Sequence, residues 1–160
     1  MKTVSFIAAS SNSGKTTIIE KVVRILKDRG LRVAVIKHAS KGFDLDRPGK
    51  DSWRFRAAGA DAVVLVGPDS MAMMKRAMTQ PTLAELEPLV ADTDIVIREG
   101  FKQEGPNRIE VFRSGVSGSE PLCVNDRSII ALVSSVALDV PVPRFDWDDA
   151  SAVADFITKL

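Results

Sequence analysis

The chain has 160 residues, a length typical of a single domain. Apolar residues make up 45% of it and charged residues 27%, the balance of a folded protein rather than a disordered one. Its 22 lysines and arginines against 21 acidic residues leave a net charge of +1, so no nucleic-acid partner is predicted. A single cysteine excludes an internal disulfide, and with a single histidine it disfavours a structural zinc site.

The amino-terminal segment is short and apolar, and it imitates a signal peptide. Its apolar stretch lies at the lower end of the roughly 7–15 residues of such peptides, and it leads directly into a turn rich in serine and glycine. No apolar run approaches the roughly 20 residues that a membrane-spanning helix requires. We therefore interpret the segment as the first strand of a cytoplasmic protein with no membrane attachment.

In the first part of the chain, apolar runs alternate with helical periodicity. Residues 4–8 predict a buried strand, and residues 16–28 predict a helix that ends before Gly30. A second strand is predicted at 33–36, followed by a long polar loop. A short helix through Ala58 then starts with Asp51 or Ser52 as its cap.

The same alternation continues to the carboxyl terminus. A third strand at 62–66 precedes turn residues 67–70, which predict a hairpin partner at 71–76. Residues 82–85 match a capping box that opens a helix through about Val90. Further strands are predicted at 95–97, 109–112, 129–133 and 142–145, and a last helix starts at Asp148 or Asp149 and ends near Lys159. The pattern predicts an α/β fold in one domain, residues 1–160, with a mostly parallel central sheet, helices on both faces and a β-hairpin extension.

The strongest chemical signal is the segment 9–17 (ASSNSGKTT), between the first predicted strand and helix. It fits the Walker A pattern of phosphate-binding loops, except that Ala9 stands where the first glycine is usual. Small residues let backbone N–H groups surround a phosphate, Lys15 reaches the β- and γ-phosphate oxygens, and the Thr16 hydroxyl is a Mg²⁺ ligand. The alternative is a surface turn with a solvated lysine. The predicted phosphate-binding residues are Asn12, Ser13, Gly14, Lys15, Thr16 and Thr17.

Acidic residues follow two of the predicted strands. Glu99 comes after the strand at 95–97, where ligands collect in an open α/β sheet. We predict that Glu99 binds the metal or orients the attacking water, and the sequence leaves both roles open. Asp44 and Asp46, in the loop after the second strand, are candidates for the same metal shell; a solvated charged face is the alternative for this loop.

Three blocks of sequence resemble the molybdopterin-guanine dinucleotide biosynthesis protein B family. They are residues 13–17 (SGKTT), then 36–38, 44–52 and 58–60 (IKH, DLDRPGKDS and AGA), and finally 99–102 (EGFK). The resemblance implies a P-loop NTPase fold, GTP and Mg²⁺ as ligands, slow GTP hydrolysis, a homodimer, and the molybdenum cofactor guanylyltransferase as partner. By motif position it implies that Gly14 to Thr17 hold phosphates and that Asp44, Asp46 and Glu99 lie near Mg²⁺. Where members often carry a further histidine after the Lys-His pair, this chain has Lys41.

These observations predict a GTP-binding adaptor with weak GTPase activity, in which Lys15 and Glu99 are the catalytic residues. No glutamine or arginine is evident that would accelerate hydrolysis. The first alternative is a P-loop small-molecule kinase or ATP-dependent ligase, although no acceptor-binding lid is evident. The second is a nucleotide-independent interaction module, which the departure at Ala9 allows. Four methionines between residues 71 and 78 are interpreted either as core or as an adaptable contact surface.

Overall fold

The computed structural model describes residues 1–102 and 104–160, which form two compact units. The first unit comprises residues 1–38 and 83–160, and the second comprises residues 39–82. That residues 1–160 act as one domain stays a prediction. The helices are α1 (Lys15–Asp28), α2 (Asp51–Ala57), α3 (Leu83–Leu86) and α4 (Ala150–Lys159). The strands are β1 (Lys2–Ile7), β2 (Val33–Lys37), β3 (Ala62–Val66), β4 (Met71–Lys75), β5 (Ile95–Glu99), β6 (Arg108–Phe112), β7 (Ile129–Ser134) and β8 (Arg144–Asp146).

A six-stranded sheet forms the centre of the first unit, in the order β2-β5-β1-β6-β7-β8. Every neighbouring pair in it is parallel, as predicted. Because β5 inserts between β1 and β2, the carboxyl ends of three strands that are distant in sequence meet at one edge. This edge carries the phosphate-loop segment, the Lys-His pair and Glu99.

Two α-helices cover one face of this sheet, and a short 3₁₀ turn packs against the other. The long helices α1 and α4 pack on one face, where Val22, Leu26, Val153 and Ile157 are fully buried among strand residues. A smaller apolar cluster on the other face includes Cys123, which belongs to the 3₁₀ turn Leu122–Val124. The predicted α/β architecture is therefore confirmed.

Two local details differ from the sequence prediction. The predicted helix at 82–90 is split into the four residues of α3 and a 3₁₀ turn, Glu87–Val90, because Pro88 lacks the N–H that would continue the α-helix. Helix α2 has Lys50 at its N-cap position and no side-chain cap, so the predicted cap at Asp51 or Ser52 is wrong. At the last helix the prediction is confirmed, since the Asp149 carboxylate accepts a hydrogen bond from the Ala152 N–H at 2.9 Å.

The second unit contains α2 and the antiparallel hairpin β3–β4, which confirms the predicted hairpin. Val64 pairs with Met73 and Val66 pairs with Met71, and residues directly opposite each other share a face. We call these four residues the outer hairpin face. Their exposed fractions lie between 50% and 81%, so these side chains are not part of a core. That the methionine-rich segment is a contact surface stays a prediction.

Candidate functional site

The loop between β1 and α1 turns twice through left-handed backbone, at Asn12 (φ 59°) and at Gly14 (φ 84°). Ala9 is not among the residues with positive φ, so alanine carries no left-handed strain there. Ser13 is fully buried, and its hydroxyl donates to the carbonyl of Ser10 at 3.2 Å. The loop ends at the amino terminus of α1, where N–H groups without intrahelical partners favour an anion.

Lys15 is folded back over this loop. Its Nζ donates to the Ser10 carbonyl at 3.3 Å and to the Ser13 hydroxyl at 3.2 Å. Burial lowers the pKa of Lys15, an effect that the Glu99 charge opposes and that the charges of Lys102 and Lys37 reinforce. The hydrogen bonds of this ammonium are to neutral oxygens, so phosphate oxygens would be stronger partners for it.

Glu99, the last residue of β5, lies beside the first turn of α1. Its Oε1 accepts a hydrogen bond from the Thr16 hydroxyl at 3.0 Å, and its Oε2 forms an ion pair with Lys37 Nζ at 3.1 Å. The parallel register places Lys37 of β2 directly opposite Glu99. The structure thus brings together Thr16 and Glu99, the hydroxyl and carboxylate that the sequence predicts as metal ligands, and both are oxygen donors of the kind Mg²⁺ prefers.

The other predicted metal ligands, Asp44 and Asp46, belong to the second unit, and their place near Mg²⁺ stays a prediction. Asp46 Oδ1 accepts hydrogen bonds from the Ser52 hydroxyl at 2.9 Å and from the Arg47 N–H at 3.0 Å. Its Oδ2 is buried without a hydrogen-bond partner, an environment that suits a cation.

Across residues 1–102 and 104–160, no three acidic, histidine or cysteine side chains gather into a metal cluster. Mg²⁺ in nucleotide sites is usually held by one or two carboxylates, phosphates and water rather than by a cage of protein ligands. The Thr16 hydroxyl and the Glu99 carboxylate are donors of the kind that would hold such a Mg²⁺ ion.

The turn that follows Glu99 has two consecutive left-handed residues, Gly100 (φ 92°) and Phe101 (φ 52°). Glycine is favoured at the first position, because φ 92° strains any L side chain and a Cβ there would also lie 3.1 Å from the His38 Cβ. For Phe101 the conformation costs roughly 1–2 kcal/mol. Burial of its ring offsets this cost, and the ring centroid lies 5.3 Å from that of His38. This turn carries Lys102 to the phosphate loop, where its Nζ donates to the Ala9 carbonyl at 2.9 Å.

Sequence reasoning missed Lys37, Lys102 and Trp147 as parts of this site. Both lysines lie in the blocks that carry the family resemblance, so a signal for them was present. Trp147 follows β8, and its indole lies against Gly14, where a Cβ would come within 1.9 Å of the indole Cη2. No local pattern in the sequence indicates that contact. Of the other predicted phosphate ligands, Thr17 is exposed on the first turn of α1.

The profile of the family described as molybdopterin guanine dinucleotide synthesis protein B, or MobB, matches residues 4–135. The chain belongs to this family. A molybdopterin-guanine dinucleotide biosynthesis adapter protein of Escherichia coli K12 is 36% identical over 157 residues, which cover 95% of this chain and 89% of the relative. A protein of the same description from Haemophilus influenzae is 35% identical over 156 residues, which cover 94% of this chain and 85% of the relative.

A solved structure described as molybdopterin-guanine biosynthesis protein B superposes on the chain with a TM-score of 0.77. The two are 31% identical, and the superposition covers 98% of each chain. The predicted family, P-loop NTPase fold and role as an adapter in molybdopterin guanine dinucleotide biosynthesis are confirmed. In the described part of this MobB chain, no helix is both long and apolar enough to cross a membrane.

Proposed function

We propose that this MobB chain binds GTP with Mg²⁺ at residues 9–17 and acts in the cytoplasm as a nucleotide-loaded adapter. The observation that carries the proposal is the placement of Lys15, Thr16 and Glu99 together at the amino terminus of α1. The charges that act on the Lys15 ammonium are those of Glu99, Lys102 and Lys37, and Lys37 is also paired with Glu99. This group therefore contains three ammonium groups and one carboxylate. This local excess of positive charge suits a polyphosphate.

In this proposal the loop amides and Lys15 bind the β- and γ-phosphates, while Thr16 and Glu99 hold the metal. Asp44 and Asp46 are further candidate ligands. Bound Mg²⁺ neutralises charge on the phosphate oxygens. Glu99 has a second possible task, which is to orient the attacking water. P-loop GTPases hydrolyse GTP at only about 10⁻⁴ per second when no arginine finger assists them, and we expect a rate no faster than this. The choice of guanine over adenine rests on the family.

The proposed partner is the molybdenum cofactor guanylyltransferase, the enzyme that joins GMP to molybdopterin. The description of the relatives as adapter proteins supports a partner enzyme. Co-elution of the purified chain with that enzyme in the presence of GTP and Mg²⁺ tests this part of the proposal. Separate elution at concentrations of tens of micromolar would contradict it.

The proposed homodimer forms through the outer hairpin face. An isolated two-stranded sheet is marginally stable, and contiguous exposed apolar side chains commonly mark an interaction surface. We expect light scattering to give the mass of two chains for the unaltered protein and of one chain for the double variant Val64→Asp/Met73→Asp. Asp69→Ala, in the hairpin turn, is the matched control. A monomeric unaltered protein at micromolar concentration would refute the dimer.

Isothermal titration calorimetry with GTP or ATP, each with Mg²⁺, tests nucleotide binding. We expect GTP to bind, and GTP at 100 times its dissociation constant to stabilise the folded chain by about 2.7 kcal/mol. Lys15→Ala should lose this binding. Lys159→Ala, in the exposed last turn of α4, should retain it.

The two alternative functions give different results in the same experiment. Rapid transfer of phosphate from ATP to a small acceptor would support a kinase or ligase. Failure of the unaltered chain to bind either nucleotide would support an interaction module and refute the proposal. Undiminished GTP affinity in Lys15→Ala would refute the assignment of the phosphate loop.

A further inference from the structure

We propose that Lys102 is a second phosphate-binding lysine, which contacts the terminal phosphate of bound nucleotide and makes the site prefer the triphosphate over the diphosphate. The inference rests on the proposed nucleotide site and deepens it by assigning one residue the recognition of the γ-phosphate.

The first support is position. Lys102 Nζ donates to the carbonyl of Ala9, and Lys15 Nζ donates to the carbonyl of Ser10, the next residue. Two ammonium groups therefore lie against consecutive carbonyls at the same end of the loop. The lysine of a phosphate loop reaches the β- and γ-phosphates, so the ammonium beside it lies within the same phosphate environment.

The second support is the backbone that presents Lys102. Gly100 and Phe101 form the left-handed turn described above, and the Arg108 guanidinium donates to the backbone carbonyl of Lys102. Left-handed backbone at a residue other than glycine persists only where its surroundings enforce it, and such residues concentrate at ligand sites. The buried Phe101 ring holds the turn in this conformation, and the side chain of the next residue, Lys102, is exposed.

The third support is the chemistry of the present contacts. Lys37 already forms an ion pair with Glu99, whereas Lys102 donates to a neutral carbonyl. A phosphate oxygen is a stronger acceptor than a carbonyl, because the hydrogen bond then joins opposite charges. Lys102 can exchange the Ala9 carbonyl for a phosphate oxygen without leaving a buried charge unpaired, since its side chain is exposed.

Calorimetry with GTP and with GDP, each with Mg²⁺, tests the inference on four proteins: the unaltered chain, Lys102→Ala, Lys102→Arg and Lys159→Ala. We expect Lys102→Ala to lose about tenfold or more in GTP affinity and less than about threefold in GDP affinity. Lys102→Arg keeps the charge and should restore part of the preference for GTP. The control Lys159→Ala should match the unaltered chain with both nucleotides.

Several outcomes separate this inference from the proposed function. If the unaltered chain binds GTP and Lys102→Ala binds it equally well, the inference is overturned and the nucleotide site stands. Equal losses for GTP and GDP in Lys102→Ala would also overturn it, because they indicate a general rather than a γ-phosphate contact. A thermal melt of each variant without nucleotide establishes folding, and Lys102→Gln replaces Lys102→Ala if the alanine variant does not fold.

Discussion

Gly14→Ala is the single-methyl change that we expect to disturb the phosphate loop most. At φ 84° an L side chain costs roughly 1–2 kcal/mol. The added Cβ would also lie 1.9 Å from Cη2 and 2.6 Å from Cζ2 of Trp147, so the ring or the loop must move. Such overpacking typically costs about 1–3 kcal/mol. The two contributions together predict a loss of roughly 2–5 kcal/mol in the free energy of unfolding.

A second substitution separates the two contributions. Trp147→Leu removes the ring that the new methyl group meets but leaves the backbone conformation at residue 14 unchanged. We therefore expect Gly14→Ala to cost about 1–3 kcal/mol less in the Trp147→Leu background than in the unaltered chain. Guanidinium denaturation, followed by far-ultraviolet circular dichroism so that loss of an indole does not alter the signal, measures all four proteins of this cycle.

Two results would refute this reasoning. An equal cost of Gly14→Ala in both backgrounds would mean that the indole does not restrict residue 14. A cost below about 0.5 kcal/mol in the unaltered chain would mean that neither the left-handed backbone nor the ring opposes the methyl group. Calorimetry on the same proteins should show GTP affinity falling in Gly14→Ala in both backgrounds, because the strained backbone remains in each.

Two further predictions concern carboxylates away from the loop. Glu110 is fully buried and accepts hydrogen bonds from the Leu122 and Cys123 N–H groups at 2.9 and 3.0 Å. An unsatisfied buried donor costs about 1–3 kcal/mol, and Glu110→Ala leaves two such donors, so guanidinium denaturation should show a loss of roughly 2–6 kcal/mol in the free energy of unfolding. Glu110→Gln should cost less. Equal costs for the two variants would contradict this account. The Arg32 guanidinium holds the pKa of Asp94 at about 2, below its usual 3.8. The stability that this pair contributes is therefore present above about pH 4 and lost as the pH falls from about 4 to 2. The melting temperatures of the unaltered chain and of Asp94→Asn should converge over that interval. A constant difference between them would contradict the assignment.

Burial of charge is one property that the sequence left undetermined. Arg98 directly follows the predicted strand at 95–97, where a charged side chain is usually solvated, yet its side chain is 1% exposed. Its guanidinium donates to the Pro106 carbonyl at 3.0 Å, and a Cβ at Gly105 would lie 2.1 Å from its Nη1. Burial lowers the pKa of Arg98. Whether such a side chain faces solvent depends on which segment of the chain covers that face of the sheet. The periodicity of residues along one strand does not indicate which segment that is.

The features that the sequence by itself determined are those in which neighbouring residues interact with one another. The alternation of strands and helices, the hairpin turn and the phosphate loop follow from side-chain periodicity, glycine placement and the spacing of Gly14, Lys15 and Thr16. The start of the last helix is equally local: the sequence predicts Asp148 or Asp149 there, and Asp149 is the residue that caps the helix.

Only the tertiary structure decided which distant residues meet at the loop. The Thr16–Glu99 hydrogen bond exists because β5 pairs with β1, and the Lys37–Glu99 ion pair exists because β5 also pairs with β2. Contact of Trp147 with Gly14 likewise requires the last strand and helix to pack beside α1. Strand order and helix packing are set by burial of apolar surface over the whole unit, so they depend on long-range pairings that no local pattern encodes.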